Sequence, residues 1–104
     1  MNENLKQELD TLINQTPVVL FMKGDPDFPQ CGFSMRAVEI LKSLNVSFSH
    51  FDILTNEMVR QSLKEYSNWP TYPQLYVKGE LIGGVDIMED MLESNELRDI
   101  VKTV

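Results

Sequence analysis

The chain has 104 residues, of which 42% are hydrophobic and 24% are charged. This is an ordinary globular balance, and the length predicts one domain over residues 1–104. The net charge of −7 argues against a nucleic-acid partner, because a phosphate backbone needs a basic face. No apolar run approaches the length of a membrane span, so we expect no membrane partner.

The first fifteen residues are polar and acidic, unlike a secretory signal or an Arg-rich transit peptide. The chain is therefore interpreted as a mature protein or as a domain of a longer one. Cys31 is the single cysteine, which excludes an internal disulfide and favours an intracellular, reducing compartment. We expect the cytoplasm or nucleus, or a mitochondrion or plastid if a transit peptide has been removed.

The first 45 residues predict a helix, a strand, a loop and a second helix. Four apolar residues at helical spacing predict a helix that ends before Pro17: Leu5, Leu9, Leu12 and Ile13. The continuous apolar run 18–22 predicts a strand that is buried on both faces. Residues 24–30 contain one glycine and two prolines and predict a loop. A second helix follows Cys31 at once, and Asn45 is suited to end it.

The second half predicts another strand, a helix, a hairpin and two helical segments. Residues 46–53 predict a strand, and Thr55 or Asn56 is suited to cap the third helix. A hairpin of short strands follows over residues 75–82, with its turn at Lys78-Gly79. Asp86 is suited to cap a fourth helix, and residues 97–101 continue helically after a break. This order predicts an α/β fold, in which helices flank both faces of a mixed sheet.

Cys31 lies where a loop meets a predicted helix. A lone cysteine is more often an inert core residue than a nucleophile, so the residues around Cys31 must show whether it is reactive. The first-turn amides of the helix favour a thiolate, and the ammonium of Lys23 would lower the pKa of the thiol further if the loop folds back. His50 lies on a strand pattern and is interpreted as structural. Lys23 alone could be a solvated charge at the end of a strand, but the apolar strand before it brings Lys23 to the same edge as Cys31.

Several segments in order resemble the monothiol glutaredoxin family. These are Cys31-Gly32-Phe33-Ser34, the run Phe21-Met22-Lys23-Gly24 before Pro26 and Pro29, Trp69-Pro70-Thr71-Tyr72-Pro73-Gln74, and Gly83-Gly84-Val85-Asp86. The resemblance covers about residues 5–100. It is greatest to the glutaredoxin domains of PICOT-type multidomain members, and single-domain members are nearly as similar. It implies a single glutaredoxin domain with a thioredoxin-like fold, whose mixed sheet has four strands.

The resemblance also implies a glutathione site. Tyr72-Pro73 would be a cis bond that presents the backbone of Tyr72 to an extended peptide. Lys23 and Arg60 would hold the glycine carboxylate of glutathione, whereas the amides of Val85 and Asp86 would hold its glutamyl carboxylate. The implied binding residues are Lys23, Cys31, Arg60, Thr71, Tyr72, Pro73, Val85 and Asp86. Phe33 is either a packing residue or a ligand contact, and many family members have cysteine at the position of Val85.

The implied function is to carry or sense iron–sulfur clusters. A 2Fe–2S cluster needs four thiolates, which two Cys31 side chains and two glutathiones would supply. The cluster-bound form would be a homodimer, the apo form a monomer, and iron–sulfur client proteins the partners. The alternative is a weak glutathione-dependent thiol–disulfide oxidoreductase with Cys31 as its catalytic residue, since Ser34 cannot form a disulfide. A third alternative is an interaction module in which Cys31 is inert.

Overall fold

The structure, a computed structural model, describes residues 1–102. Its helices are α1 (Glu3–Ile13), α2 (Gly32–Ser43), α3 (Glu57–Ser67), α4 (Val85–Glu93) and α5 (Glu96–Lys102). Its strands are β1 (Val18–Met22), β2 (Ser49–Asp52), β3 (Gln74–Val77) and β4 (Glu80–Gly83), and a short 3₁₀ helix covers Ile53–Thr55. No helix within residues 1–102 is long and apolar enough to cross a membrane.

The four strands form one mixed sheet in the order β2-β1-β3-β4. β1 pairs with β2 in parallel and with β3 antiparallel, and β3 pairs antiparallel with β4. The predicted mixed four-stranded sheet is therefore confirmed. The predicted hairpin is also confirmed, since β3 and β4 are joined through Lys78 and Gly79. All five residues of β1 are buried, as expected for a strand covered on both faces.

Alternate residues of β1 contribute to two cores on opposite faces of the sheet. Val18, Leu20 and Met22 lie in the core with α2, α4 and α5. Val19 and Phe21 lie in the second core, which contains side chains of α1 and α3. Because strand side chains alternate between faces, one short strand anchors both helical layers. Truncation of the fully buried Leu20 to alanine should destabilise the fold by about 2–5 kcal/mol.

Two local predictions were wrong. The strand predicted over residues 46–53 covers only Ser49–Asp52. β1 begins at Val18, and its next residue, Val19, already lies opposite Ser49, so residues 46–47 lie beyond the start of β1 and have no strand to pair with. Val46 and Phe48 still pack against the core, which explains their apolar character. The carboxylate of Asp52 accepts a hydrogen bond from the Leu54 amide and begins the 3₁₀ turn, which ends β2.

The second error concerns Asp86, which does not cap α4. Gly84 is the N-cap, no side-chain cap hydrogen bond is present there, and Asp86 lies in the first turn. The third helix follows its prediction, because the side chain of Asn56 accepts a hydrogen bond from the Val59 amide. The start of α4 therefore differs from that of α3. Its first amides have no side-chain acceptor from the cap residue.

Candidate functional site

The loop after β1 returns the chain to the end of that strand. The Gln30 amide donates to the Lys23 carbonyl at 2.8 Å, and Gly24 forms a β-bridge with Pro29. Inside the loop, the carboxylate of Asp25 accepts hydrogen bonds from two later amides. Gly24 has a φ of +87°, and a Cβ there would lie 2.5 Å from the Phe28 carbonyl oxygen. Glycine is therefore required at this position, and the loop brings Cys31 back beside Lys23.

Cys31 is the N-cap residue of α2 and is partly exposed. Its sulfur accepts a hydrogen bond from the Ser34 amide at 3.3 Å and lies 3.3 Å from the Ser34 hydroxyl oxygen. Ser34 is 0% exposed, and its hydroxyl oxygen also accepts a hydrogen bond from the Lys23 amide at 3.0 Å. Because that oxygen already accepts a proton from Lys23, its own proton is available to a thiolate on Cys31.

The pKa of the Cys31 thiol is lowered from its usual value. Burial raises the pKa of the thiol, whereas hydrogen bonds from the hydroxyl and amide of Ser34 and from the Phe33 amide lower it. The positive charge of Lys23 lowers the pKa further. The predicted influence of Lys23 on the sulfur is therefore present. Partial exposure together with a favoured thiolate is typical of a reactive cysteine.

A cavity of about 530 Å³ is lined by Lys23 and by residues of α3 and of the start of α4. Its volume is within the range of small-molecule sites, which is about 300–1,000 Å³. Seven of the eight predicted binding residues line it: Lys23, Arg60, Thr71, Tyr72, Pro73, Val85 and Asp86. Cys31 is not among the lining residues, although both Lys23 and Phe33 are. Phe33 is 67% exposed, so it is not a core packing residue.

One side of the cavity is formed by the side chains of Lys23, Arg60 and Lys64, which we call the cationic wall. Arg60 and Lys64 lie one turn apart on α3. The Nε atom of Arg60 is buried and has no hydrogen-bond partner within residues 1–102. A buried guanidinium nitrogen without an acceptor is unfavourable, and an acceptor such as a carboxylate would satisfy it. The cationic wall therefore fits a carboxylate.

The cavity is also lined by the first turn of α4 with its cap, Gly84, Val85 and Asp86, which we call the amide wall. A Cβ on Gly84 would lie 3.3 Å from the Pro73 carbonyl oxygen, so glycine permits close packing there. The N-terminus of a helix favours an anion through its free amides and its dipole. Asp86 is exposed in the same turn and adds a carboxylate that fits an ammonium group.

The segment from Trp69 to Pro73 also lines the cavity, and we call it the floor. Hydrogen bonds from a buried side chain hold this segment in place. The Tyr72-Pro73 bond is cis, as predicted. The side-chain amide of the fully buried Gln74 donates to the carbonyls of Trp69 and Thr71, both at 3.3 Å. The Gln74 carbonyl accepts from the Tyr76 hydroxyl at 2.8 Å. Burial raises the pKa of Tyr76 to about 12, so this hydroxyl remains a donor at neutral pH.

The tyrosine of the floor is connected to the cationic wall. The Tyr72 hydroxyl donates to the Arg60 carbonyl at 2.8 Å, and burial raises the pKa of Tyr72 well above its usual value. Sequence reasoning did not detect this bond, the Gln74 contacts, or a bond from the Gly24 amide to Asp52. The Tyr72 and Gly24 bonds join residues that are 12 and 28 positions apart, so no local pattern indicates them, whereas the Gln74 contacts are local but depend on the conformation of residues 69–73. His50 is exposed on β2.

The donor set for a metal is small. Within residues 1–102, no group of three or more His, Cys, Asp or Glu side chains could hold a metal ion. Cys31 is the one thiol, and it lies at the surface. A cluster with thiolate ligands would therefore need ligands from outside this chain, which fits the predicted donor set.

The chain is similar in sequence to known proteins. A family model described as Glutaredoxin matches residues 18–82. Glutaredoxin 3 of Danio rerio is 60% identical over 93% of this chain and 30% of its own length. Monothiol glutaredoxin-S14, chloroplastic, of Arabidopsis thaliana is 55% identical over 98% of this chain and 59% of its own length. The chain thus spans less than two thirds of these curated relatives.

A solved structure gives the corresponding comparison of folds. The solution structure of reduced poplar apo GrxS14 is 56% identical to this chain and superposes with a TM-score of 0.82. The match covers 95% of this chain and 91% of that one. The predicted thioredoxin-like fold is therefore confirmed.

Proposed function

We propose, because this chain belongs to the glutaredoxin family, that it binds glutathione and that two copies share a 2Fe–2S cluster through Cys31. Its role would be the transfer of iron–sulfur clusters or the sensing of iron. The observation that carries the proposal is one partly exposed, thiolate-favouring cysteine next to Lys23, which lines a cavity with a cationic wall and an amide wall.

Glutathione has the charges that the two walls would complement. Its glycine carboxylate would bind Lys23 and Arg60, and the free Nε of Arg60 supports this orientation. Its glutamyl carboxylate would bind the first amides of α4, and its ammonium would bind Asp86. Between them, the backbone of Tyr72 would pair with the cysteinyl residue, as an added strand does. This orientation would direct the glutathione thiol toward Lys23 and Phe33, the lining residues nearest to Cys31 in the active-site segment.

A 2Fe–2S cluster held by thiolates needs four of them. Each chain supplies the Cys31 thiolate and holds one glutathione, so two chains with two glutathiones complete the set. The cluster would be cargo that passes to iron–sulfur client proteins. The apo form would be a monomer, because no cluster then joins the two chains. We propose a reducing intracellular compartment, since a free thiolate and reduced glutathione are both required.

The test is reconstitution with iron, sulfide and glutathione, followed by visible absorption. The wild type should develop the bands of a 2Fe–2S cluster. Cys31→Ser should develop none, because no second protein thiol can replace it, and omission of glutathione should have the same result. Ser34→Ala is the matched control and should retain the cluster, since its oxygen is not a required ligand. Full colour in Cys31→Ser would contradict the proposal.

A second candidate function is favoured by the lowered pKa of Cys31. The Cys31 thiolate would attack the glutathione sulfur of a protein mixed disulfide and release the protein as a thiolate. A glutathione thiolate would then attack the Cys31–glutathione disulfide, which yields oxidised glutathione and regenerates Cys31. Ser34 cannot perform this second step. Turnover that rises with glutathione concentration, measured on a glutathionylated peptide, would support this activity, and no turnover would contradict it.

A further inference from the structure

We propose that Asp52 is a positioning residue for the site. Its side chain fixes the start of the active-site loop and thereby holds Lys23 beside Cys31. The part of this inference that concerns glutathione rests on the proposed function, whereas the part that concerns Cys31 does not.

Asp52 lies where β1 and β2 end together. It is the register partner of Met22, the last residue of β1, so its side chain lies beside the first residues of the loop. One carboxylate oxygen, Oδ1, accepts a hydrogen bond from the Gly24 amide at 2.9 Å. The same oxygen accepts from the Leu54 amide at 2.9 Å. A single oxygen thus joins the loop to the turn after β2.

The bond to Gly24 completes the restraint of Lys23. The Lys23 amide donates to the buried hydroxyl of Ser34, and the Lys23 carbonyl accepts from the Gln30 amide. With Gly24 held by Asp52, the backbone is fixed on both sides of Lys23. A lysine side chain has many rotamers, so a fixed backbone reduces the entropy that is lost when its ammonium binds an anion.

Gly24 is the point at which this restraint is most needed. Its positive φ and the short distance to the Phe28 carbonyl allow only glycine, which is the most flexible residue in the absence of other contacts. The loop cannot be stiffened by a larger residue here. An acceptor outside the loop provides the stiffness, and Asp52 is that acceptor.

The important feature of Asp52 is an oxygen in the right place rather than a negative charge. Both amides donate to Oδ1, and the side-chain carbonyl of asparagine presents an oxygen at the same position. Asp52→Asn and Asp52→Ala remove the same charge, but only Asp52→Ala removes the acceptor. A comparison of these two variants therefore isolates the hydrogen bond. Loss of the charge alone would lower the pKa of Cys31, whereas loss of the position of Lys23 would raise it.

The experiment measures the pH midpoint of Cys31 alkylation by iodoacetamide and the affinity for glutathione by calorimetry. Relative to Asp52→Asn, the Asp52→Ala variant should have a higher midpoint and about fivefold weaker binding, the size of a partly exposed ion pair. Asp52→Asn should bind within about twofold of the wild type, since the acceptor is retained. In a Lys23→Ala background, Asp52→Ala should cause no further change in either quantity.

Three results would overturn the inference. The first is an Asp52→Ala variant that matches Asp52→Asn in both the alkylation midpoint and the glutathione affinity. The second is an effect of Asp52→Ala that is the same with and without Lys23. The third is a Gly24 amide that exchanges with solvent in the wild type as fast as an unprotected amide. The exchange measurement needs no variant, so it holds even if Asp52→Ala fails to fold. If the wild type binds no glutathione, the proposed function fails, but the alkylation midpoints still test Asp52.

Discussion

The two walls of the cavity differ in what they present to a ligand. The cationic wall consists of side chains from the end of β1 and from α3, whereas the amide wall consists mainly of backbone at the start of α4. α3 packs on one face of the sheet and α4 on the other, so residues from both helical layers line the cavity. One wall depends on which residues the chain carries, and the other depends on where a helix begins.

This difference determines how each wall responds to substitution. Removal of a side chain from the cationic wall deletes a binding group. Removal of a side chain from the amide wall leaves the amides in place, apart from the carboxylate of Asp86. The effects of single substitutions should therefore be graded across the cavity.

The largest effect is expected for Arg60→Ala. It should weaken glutathione binding about tenfold, the size of a charge-assisted hydrogen bond in a partly buried site. Isothermal titration calorimetry measures this change. Lys64→Ala, one turn further along α3, is the matched control and should change the affinity less. An equal loss of glutathione affinity in both variants would mean that the wall attracts the carboxylate through its summed positive charge rather than through a specific contact with Arg60.

The next effect is expected for Asp86→Asn. It should weaken glutathione binding about fivefold, because the ligand ammonium loses its one charged partner while the amides remain. A glutathione analogue without the amino group provides the control. It should bind both forms equally, and a preference of the analogue for the wild type would contradict the assigned contact.

Much of this arrangement could be predicted from the sequence. Periodicity and the apolar run of β1 indicate the layers, and the motifs indicate Lys23, Arg60 and Asp86. The start of β2 could not be predicted, because it depends on which residue of β1 lies opposite Ser49. Asp52 was missed for a related reason. Its partner Gly24 is 28 residues away, and only the parallel pairing of β1 and β2 brings them together.

A smaller effect is expected for Ser34→Ala, which tests how the cationic wall is coupled to the sulfur. The variant loses a hydroxyl that stabilises the thiolate and accepts from the Lys23 amide. The pKa of Cys31 should therefore rise, and the alkylation midpoint should move upward by about half a pH unit, as for one modest hydrogen bond. Ser43→Ala, in the last turn of α2, is the control. A midpoint that stays constant or falls in Ser34→Ala would contradict this coupling.

The smallest effect is expected for Val85→Ala. The side chain of Val85 packs against the core, and the residue lines the cavity, where its amide is proposed to bind the glutamyl carboxylate. Since the amide is retained, glutathione affinity should change less than about twofold, although thermal stability should fall slightly. A larger loss of affinity at unchanged stability would show that the amide wall depends on its side chains.

In the proposed assembly, one cluster joins two chains through two glutathiones. Native mass spectrometry of the reconstituted protein tests this composition, because the mass gives the number of chains, glutathiones and cluster atoms together. We expect one species that contains two chains, two glutathiones and a 2Fe–2S unit, and a bare monomer after the cluster is removed. A cluster on a single chain, or on two chains without glutathione, would contradict it.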